Sequence, residues 1–173
     1  MKHIIWIICI ILGISRIDTC SAVTTAERDK VLSLHNMVRS EYNIPWLVWD
    51  TKIEKQAQDW ANILAKKWVF EHSTSTVRKG MWENIYMTST TDKQVVSDGS
   101  DAVMLWYGEY IDYDYTTNSC NYASVCGHFT QIIWKNTKRI GCGKSIRKKK
   151  NLITIYWVCQ YDPAGNYVDE RPY

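Results

Sequence analysis

The chain has 173 residues, 46% of them hydrophobic and 13% aromatic, with 21 Lys and Arg against 18 Asp and Glu, a formal net charge of +3. This length makes one ordinary domain with room for a core and excludes a multidomain assembly. The slight positive charge, with no basic face interleaved with aromatics, argues against a nucleic-acid partner.

The first residues are expected to lie outside the fold. Lys2 leads into an unbroken apolar run from Ile4 to Leu12, and small residues follow at Cys20, Ser21 and Ala22. That pattern is a secretory signal peptide, residues 1–22, with cleavage after Ala22; the run is too short for a spanning helix. Arg16 and Asp18 further disfavour a retained anchor. No later segment is apolar enough to cross a membrane and no hydrophobic tail directs a lipid anchor, so residues 23–173 are expected to be secreted, extracellular and not an integral membrane protein.

Thr24 and Glu27 have the spacing of a capping box, and Val31, Leu34 and Val38 predict a first helix to about Glu41. Pro45 breaks it, and Trp46 to Trp49 reads as a short apolar connection. Asp50 or Thr51 caps a second helix with the stripe Ile53, Ala57, Trp60, Ala61, Leu64 and Trp68. Met81 to Thr88 alternates as a strand does, Thr88 to Asp101 reads as a long loop, and a third helix is expected over about 102–111. A tyrosine-rich loop, DYDYTTNSCNY, leads to a short fourth helix over 129–134. Two β-rich runs, 139–146 and 152–161, form a hairpin whose basic turn, Arg147 to Lys150, reads as a solvated tip. Helices followed by a terminal hairpin give an α+β single domain. Nothing marks a coiled coil or obligate interface, so a monomer is expected.

Cys9 and Cys20 leave with the signal. Cys120, Cys126, Cys142 and Cys159 remain, an even count that points to disulfides with three pairings open. Absence of a C-x-x-C pair disfavours structural zinc on cysteine. His35, within the first helix, reads as a partly buried histidine bonded to backbone. Glu83 in GMWENIYM and Glu109 in LWYGEYI sit among apolar neighbours, where a lone carboxylate is costly, so each is expected to have a partner. His72 and His128 are the candidate partners.

Several segments together resemble the superfamily that joins cysteine-rich secretory proteins, antigen five and plant pathogenesis-related proteins of group one, the CAP (SCP-like) domain. They are LHNMVRSEY, LVWDTKIEKQAQDWA, MWENIY, LWYGEY, GHFTQIIWKNTKRIGCG and YWVCQYDPAGNYVDERPY. The plant branch is the nearest in pattern. The resemblance covers residues 23–173 and implies a three-layer α-β-α sandwich with an open cleft that holds His72, Glu83, Glu109 and His128. It requires no cofactor, although the histidine pair of relatives, here His72 and His128, takes zinc or another divalent cation. It implies the bridges Cys120–Cys126 and Cys142–Cys159; the family's third bridge has no cysteines here.

Three functions follow as expectations of that resemblance. The first is a non-enzymatic defence protein that binds a sterol or other small lipid and meets a pathogen or receptor component. The relatives' lipid loop has aromatics at its first, third and eighth places. Here Tyr113, Tyr115 and Tyr122 are present with shifted spacing, Cys120 falling eighth. The second is a signalling precursor cut between Asp162 and Pro163 to release Pro163–Tyr173, with Gln160 where the relatives' pattern has asparagine. The third is a metal-dependent hydrolase using the two histidines and two glutamates, for which no nucleophile is marked by a supporting motif.

Overall fold

A computed structural model describes residues 22–94 and 97–173; the expected signal peptide, apart from Ala22, lies outside them. Helix α1 spans Thr25–Glu41 and begins with the capping box of Thr24 and Glu27. Strand β1 (Val48–Trp49), helix α2 (Thr51–Lys67, capped by Asp50), the one-turn α3 (Ser75–Arg78) and strand β2 (Trp82–Thr90) follow. Next come α4 (Ser100–Gly108), one 3₁₀ turn (Glu109–Asp112), the two-residue strands β3 (Tyr113–Asp114) and β4 (Ser119–Cys120), and α5 (Gly127–Ile132). The hairpin β5 (Arg139–Lys149) and β6 (Leu152–Asp162) closes the order.

Four differences from the sequence reading have local causes. The segment Trp46–Trp49 is not only a connection, because Val48 and Trp49 pair in parallel with Arg139 and Ile140 of β5. The third helix ends at Gly108 and tightens into the 3₁₀ turn instead of running as one helix to Ile111. The fourth helix starts two residues early, at Gly127. The tyrosine loop carries a small ladder, Tyr113 opposite Cys120.

The main sheet has the order β1-β5-β6-β2, with all pairs antiparallel except β1 and β5. Side chains alternate across it. Ile155, Trp157, Cys159 and Tyr161 of β6 face a core shared with Val31 and Val38 of α1, Trp106 of α4 and Phe129 of α5. Tyr156 and Val158 face Ala57, Trp60, Ala61 and Leu64 of α2. The result is an α-β-α sandwich.

On the α2 side, β5 offers almost no side chain. A Cβ at Gly143 would sit 2.2 Å from Gln58 Cα, and one at Gly141 would sit 2.1 Å from the Glu54 nitrogen. The helix backbone therefore rests directly on the strand, which only glycine permits. Between these glycines Cys142 bonds Cys159 of β6.

Arg39 ties α1 to the chain after α5, is fully buried and, among the described residues, forms no ion pair with a carboxylate. Its guanidinium donates to the carbonyls of Pro45, Ile132, Trp134 and Thr137 at 2.7–3.0 Å. Burial lowers its pKa to about 10, so it stays charged at neutral pH. Arg39→Met would leave those carbonyls without their donor, at about 1–3 kcal/mol for each buried group. Urea denaturation is expected to show a loss of about 3 kcal/mol or more; a loss under about 1 kcal/mol would show that water replaces the guanidinium.

Candidate functional site

Four elements bring the titratable side chains together, three of them at one depression and Glu83 buried beside it, bonded to His72. His72 lies in the loop after α2, Glu83 on β2, Glu109 at the start of the 3₁₀ turn, and His128 in the first turn of α5. They form two imidazole–carboxylate pairs. His72 Nδ1 lies 2.9 Å from Glu83 Oε1, and His128 Nδ1 lies 2.6 Å from Glu109 Oε1. A carboxylate only accepts, so each Nδ1 carries a proton and donates, which leaves Nε2 as the ring atom turned away from the carboxylate.

The carboxylates are spent on protein donors. Glu83, with its side chain fully buried, also accepts from Ser73 N at 2.9 Å, Ser73 Oγ at 2.7 Å and Gln160 Nε2 at 2.8 Å. Burial pushes its pKa up, but the bonds from His72, Gln160 and Ser73 outweigh it and hold the carboxyl below its ordinary value. Glu109 accepts from the backbone nitrogens of His128 at 3.0 Å and Phe129 at 3.2 Å. It thus satisfies the first free amides of α5, where a negative charge is favoured.

Behind His128 runs a buried polar chain that sequence reasoning missed. Asn84 Nδ2 donates to the His128 carbonyl at 3.1 Å and to the Tyr161 hydroxyl at 3.2 Å. The Tyr161 hydroxyl donates to His35 Nε2 at 2.8 Å, and His35 Nδ1 donates to the Val31 carbonyl at 2.8 Å. His35 is therefore bonded to backbone, as its place in the helix suggests, but it is fully buried and also reaches the sheet. Trp106 stacks on His128, with ring centroids 6.0 Å apart and 12° between planes. The signal that could have found Asn84 and Gln160 is a polar amide inside a strand-like run rich in apolar residues, in WENIYM and YWVCQY.

His72, Glu109 and His128 line a cleft of about 400 Å³. Its walls are apolar: Phe70, Ile85, Met87, Leu105 and Trp106. A larger groove of about 620 Å³ runs between α1 and Trp46–Trp49, but it holds no imidazole. The tyrosines of the expected lipid loop do not join the cleft. Tyr113 lines a separate cavity of about 320 Å³ and donates to Asn118. Tyr115 stacks on Tyr173 at 4.5 Å between centroids, and Tyr122 is fully exposed.

Imidazoles held at Nδ1 by carboxylates have the arrangement that orients zinc ligands. The donor set is nevertheless short. Among the described residues no group of three or more His, Cys, Asp or Glu side chains is arranged to hold a metal, whereas a catalytic zinc usually takes three protein ligands. The two Nε2 atoms alone do not complete a metal site. Cys120–Cys126 closes the loop just before His128.

The model of the cysteine-rich secretory protein family matches residues 32–161, and the chain belongs to that family. Pathogenesis-related leaf protein 4 of Solanum lycopersicum is 37% identical over 142 residues, 82% of this chain and 80% of that protein. Pathogenesis-related protein 1 of Arabidopsis thaliana is 35% identical with the same coverage of each chain. Among solved structures, NaASP2 with Zn2+ is similar at a TM-score of 0.69 and 27% identity, covering 87% of this chain and 86% of that one. BmVAL-1 is similar at 0.70 and 26%, covering 87% and 82%.

The buried relay makes stability depend on pH. Burial chiefly, and the Arg39 charge with it, lowers the His35 pKa from 6.5 to about 4. Between those values the unfolded chain binds more protons than the folded one, so stability is full above pH 6.5 and falls toward pH 4. At about 1.4 kcal/mol per unit, His35 contributes about 3 kcal/mol that is lost across this window. Chemical denaturation at pH 7 and pH 5 should show most of the decline, and His35→Gln should flatten it; an unchanged slope in the variant would remove His35 as the cause.

Proposed function

We propose that this is a secreted, non-enzymatic defence-type protein whose cleft takes one small amphipathic lipid, with a sterol as the expected ligand. The observation that carries the reading is the contrast within the cleft. His72, Glu109 and His128 present polar atoms, while Phe70, Met87 and Leu105 line the same space yet are 49%, 40% and 62% exposed. A ligand with one hydroxyl and a rigid apolar body would bond the imidazoles and cover those side chains. The names of the plant relatives support a defence role, and the two disulfides support life outside the reducing cytosol. Among the described residues no helix is long and apolar enough to cross a membrane.

Two details weigh against hydrolysis. The hydroxyls that follow the histidines in sequence are committed elsewhere: Ser73 Oγ donates to Glu83, and Thr130 Oγ1 lies 3.0 Å from the Cys126 carbonyl and 2.7 Å from Asn166 Oδ1. Neither is aimed at an imidazole that would activate it.

The segment Pro163–Tyr173 reads better as a strap than as a stored peptide. Gly165 N donates to buried Gln131 at 2.9 Å, Asn166 Nδ2 to the Gly127 carbonyl at 2.7 Å, and Thr137 Oγ1 to the Pro163 carbonyl at 2.9 Å. Lys135 N donates to the Pro172 carbonyl at 2.6 Å. Cleavage after Asp162 would have to be followed by loss of all these bonds. Gln160, the departure from the relatives' pattern, is occupied at Glu83.

A divalent cation is the second reading, supported by the zinc in the NaASP2 structure. His72 and His128 would hold it, with water completing the shell.

Titration of the protein, residues 23–173, with labelled sterol should give saturable binding that unlabelled sterol displaces. Leu105→Asp should weaken it about tenfold or more, the scale of one buried leucine side chain. Absence of displaceable binding would sink the lipid reading. Calorimetry with zinc chloride separates the second reading: binding is expected in the parent and lost in His128→Ala, and equal heats in both would place the cation elsewhere.

A further inference from the structure

The hairpin tip is more than a solvated turn once the fold is assembled. Lys66 and Lys67 end α2, next to Arg147 of β5, which donates to the carbonyls of Ala65 at 2.7 Å and Lys66 at 2.6 Å. Lys148, Lys149 and Lys150 complete the cluster at the turn. Six cations from two elements that are distant in sequence thus meet at one end of the molecule. None of the six makes an ion pair among the described residues; those that Lys, Arg and His form involve Arg28, Lys55, His72, His128, Arg139 and Lys144.

The molecule is polarised by this cluster. Of 21 Lys and Arg in the chain, these six leave 15 (21 less 6) against 18 Asp and Glu everywhere else. The rest of the chain is therefore net acidic, and the tip is a positive pole that would orient an approaching polyanion.

Trp68, the first residue past α2, sits in the middle. Arg147 lies 4.7 Å and Lys149 4.3 Å from its ring centroid. The ring orders both side chains in advance, so less conformational freedom is lost when a ligand binds them. It also decides between partners. An indole covered by two cations is not free to enter an acyl layer. The pleat places Lys148 on the face opposite Arg147 and Lys149, with Lys150 at the turn between them. A flat membrane would meet one of these faces, whereas a flexible linear chain can follow both.

We infer that the hairpin tip, with the end of α2, is a docking surface for a linear anionic polysaccharide. The proposal is independent of the cleft, because none of the six cations lines it.

The test uses heparin and polygalacturonate as probes and three proteins. The parent should bind both saturably, with affinity that falls as salt rises. The variant K148S/K149S/K150S changes only exposed side chains and should keep the parent's thermal midpoint. Its affinity should drop about tenfold or more, and its log affinity against log salt slope should shrink by about two units. The control K30S/K52S/K55S removes the same charge from exposed positions on α1 and at the opposite end of α2, and should bind within twofold of the parent. Equal losses in both variants would overturn the proposal in favour of net charge. So would absence of binding to either probe, or binding to phosphatidylserine vesicles that exceeds binding to both polysaccharides and depends on the same lysines.

Discussion

A buried carboxylate must be given its full set of donors, and that requirement organises the whole cleft. Glu83 draws them from the loop after α2, from Ser73 and from Gln160 on β6, so one side chain fixes the relation of three segments. Glu109 does the same at the other wall, where it joins the 3₁₀ turn to the start of α5. The histidines are oriented as a by-product. Each ring has its Nδ1 occupied and its Nε2 left over, and the cleft's chemistry is what remains when the structural bonds are made.

Behind this frame lies a second, neutral network. His35, Tyr161 and Asn84 join α1, β6 and β2 to the backbone of His128. Burial keeps His35 uncharged and raises the Tyr161 pKa well above its ordinary value, so the chain transmits position and not charge at neutral pH. Arg39 adds a charge in this region, and four backbone carbonyls accept from it. The two pairs, which present His72, Glu109 and His128 to the cleft, and the neutral relay beneath them divide the work: the first set the chemistry of the cleft, the second holds its floor.

Much of this was legible in the sequence where the signal is periodic or repeated. The helical stripes of α1 and α2 and the two long strands of the hairpin follow from spacing, and the four cysteines paired as the family resemblance implies. The elements that escaped are those whose existence depends on a distant partner. Two residues cannot announce a strand, and β1 is held by the bonds of Val48 N to the Lys138 carbonyl and of Asp50 N, just past it, to the Ile140 carbonyl. The basic turn read as solvent-facing because its other half, Lys66 to Trp68, lies some 80 residues earlier. Gln160 read as a variation in the tail pattern, and its partner Glu83 could not be known from spacing. The tyrosines of the loop were grouped by proximity in sequence, yet the fold sends them to a side cavity, to the chain's last residue and to solvent.

The contact between α2 and β5 carries a different lesson, about which surfaces can change. Helix and strand touch backbone to backbone at Gly141 and Gly143, so a single methyl group there is enough to force the layers apart. The outer face of α2 has no such restriction, since Lys52, Lys55 and Asp59 point into water. The sandwich therefore has one joint with no tolerance beside a surface with a great deal. Charge or shape on the outward side of α2 can be recoded over about five turns of helix while the joint beneath it, and the cleft beyond, stay as they are.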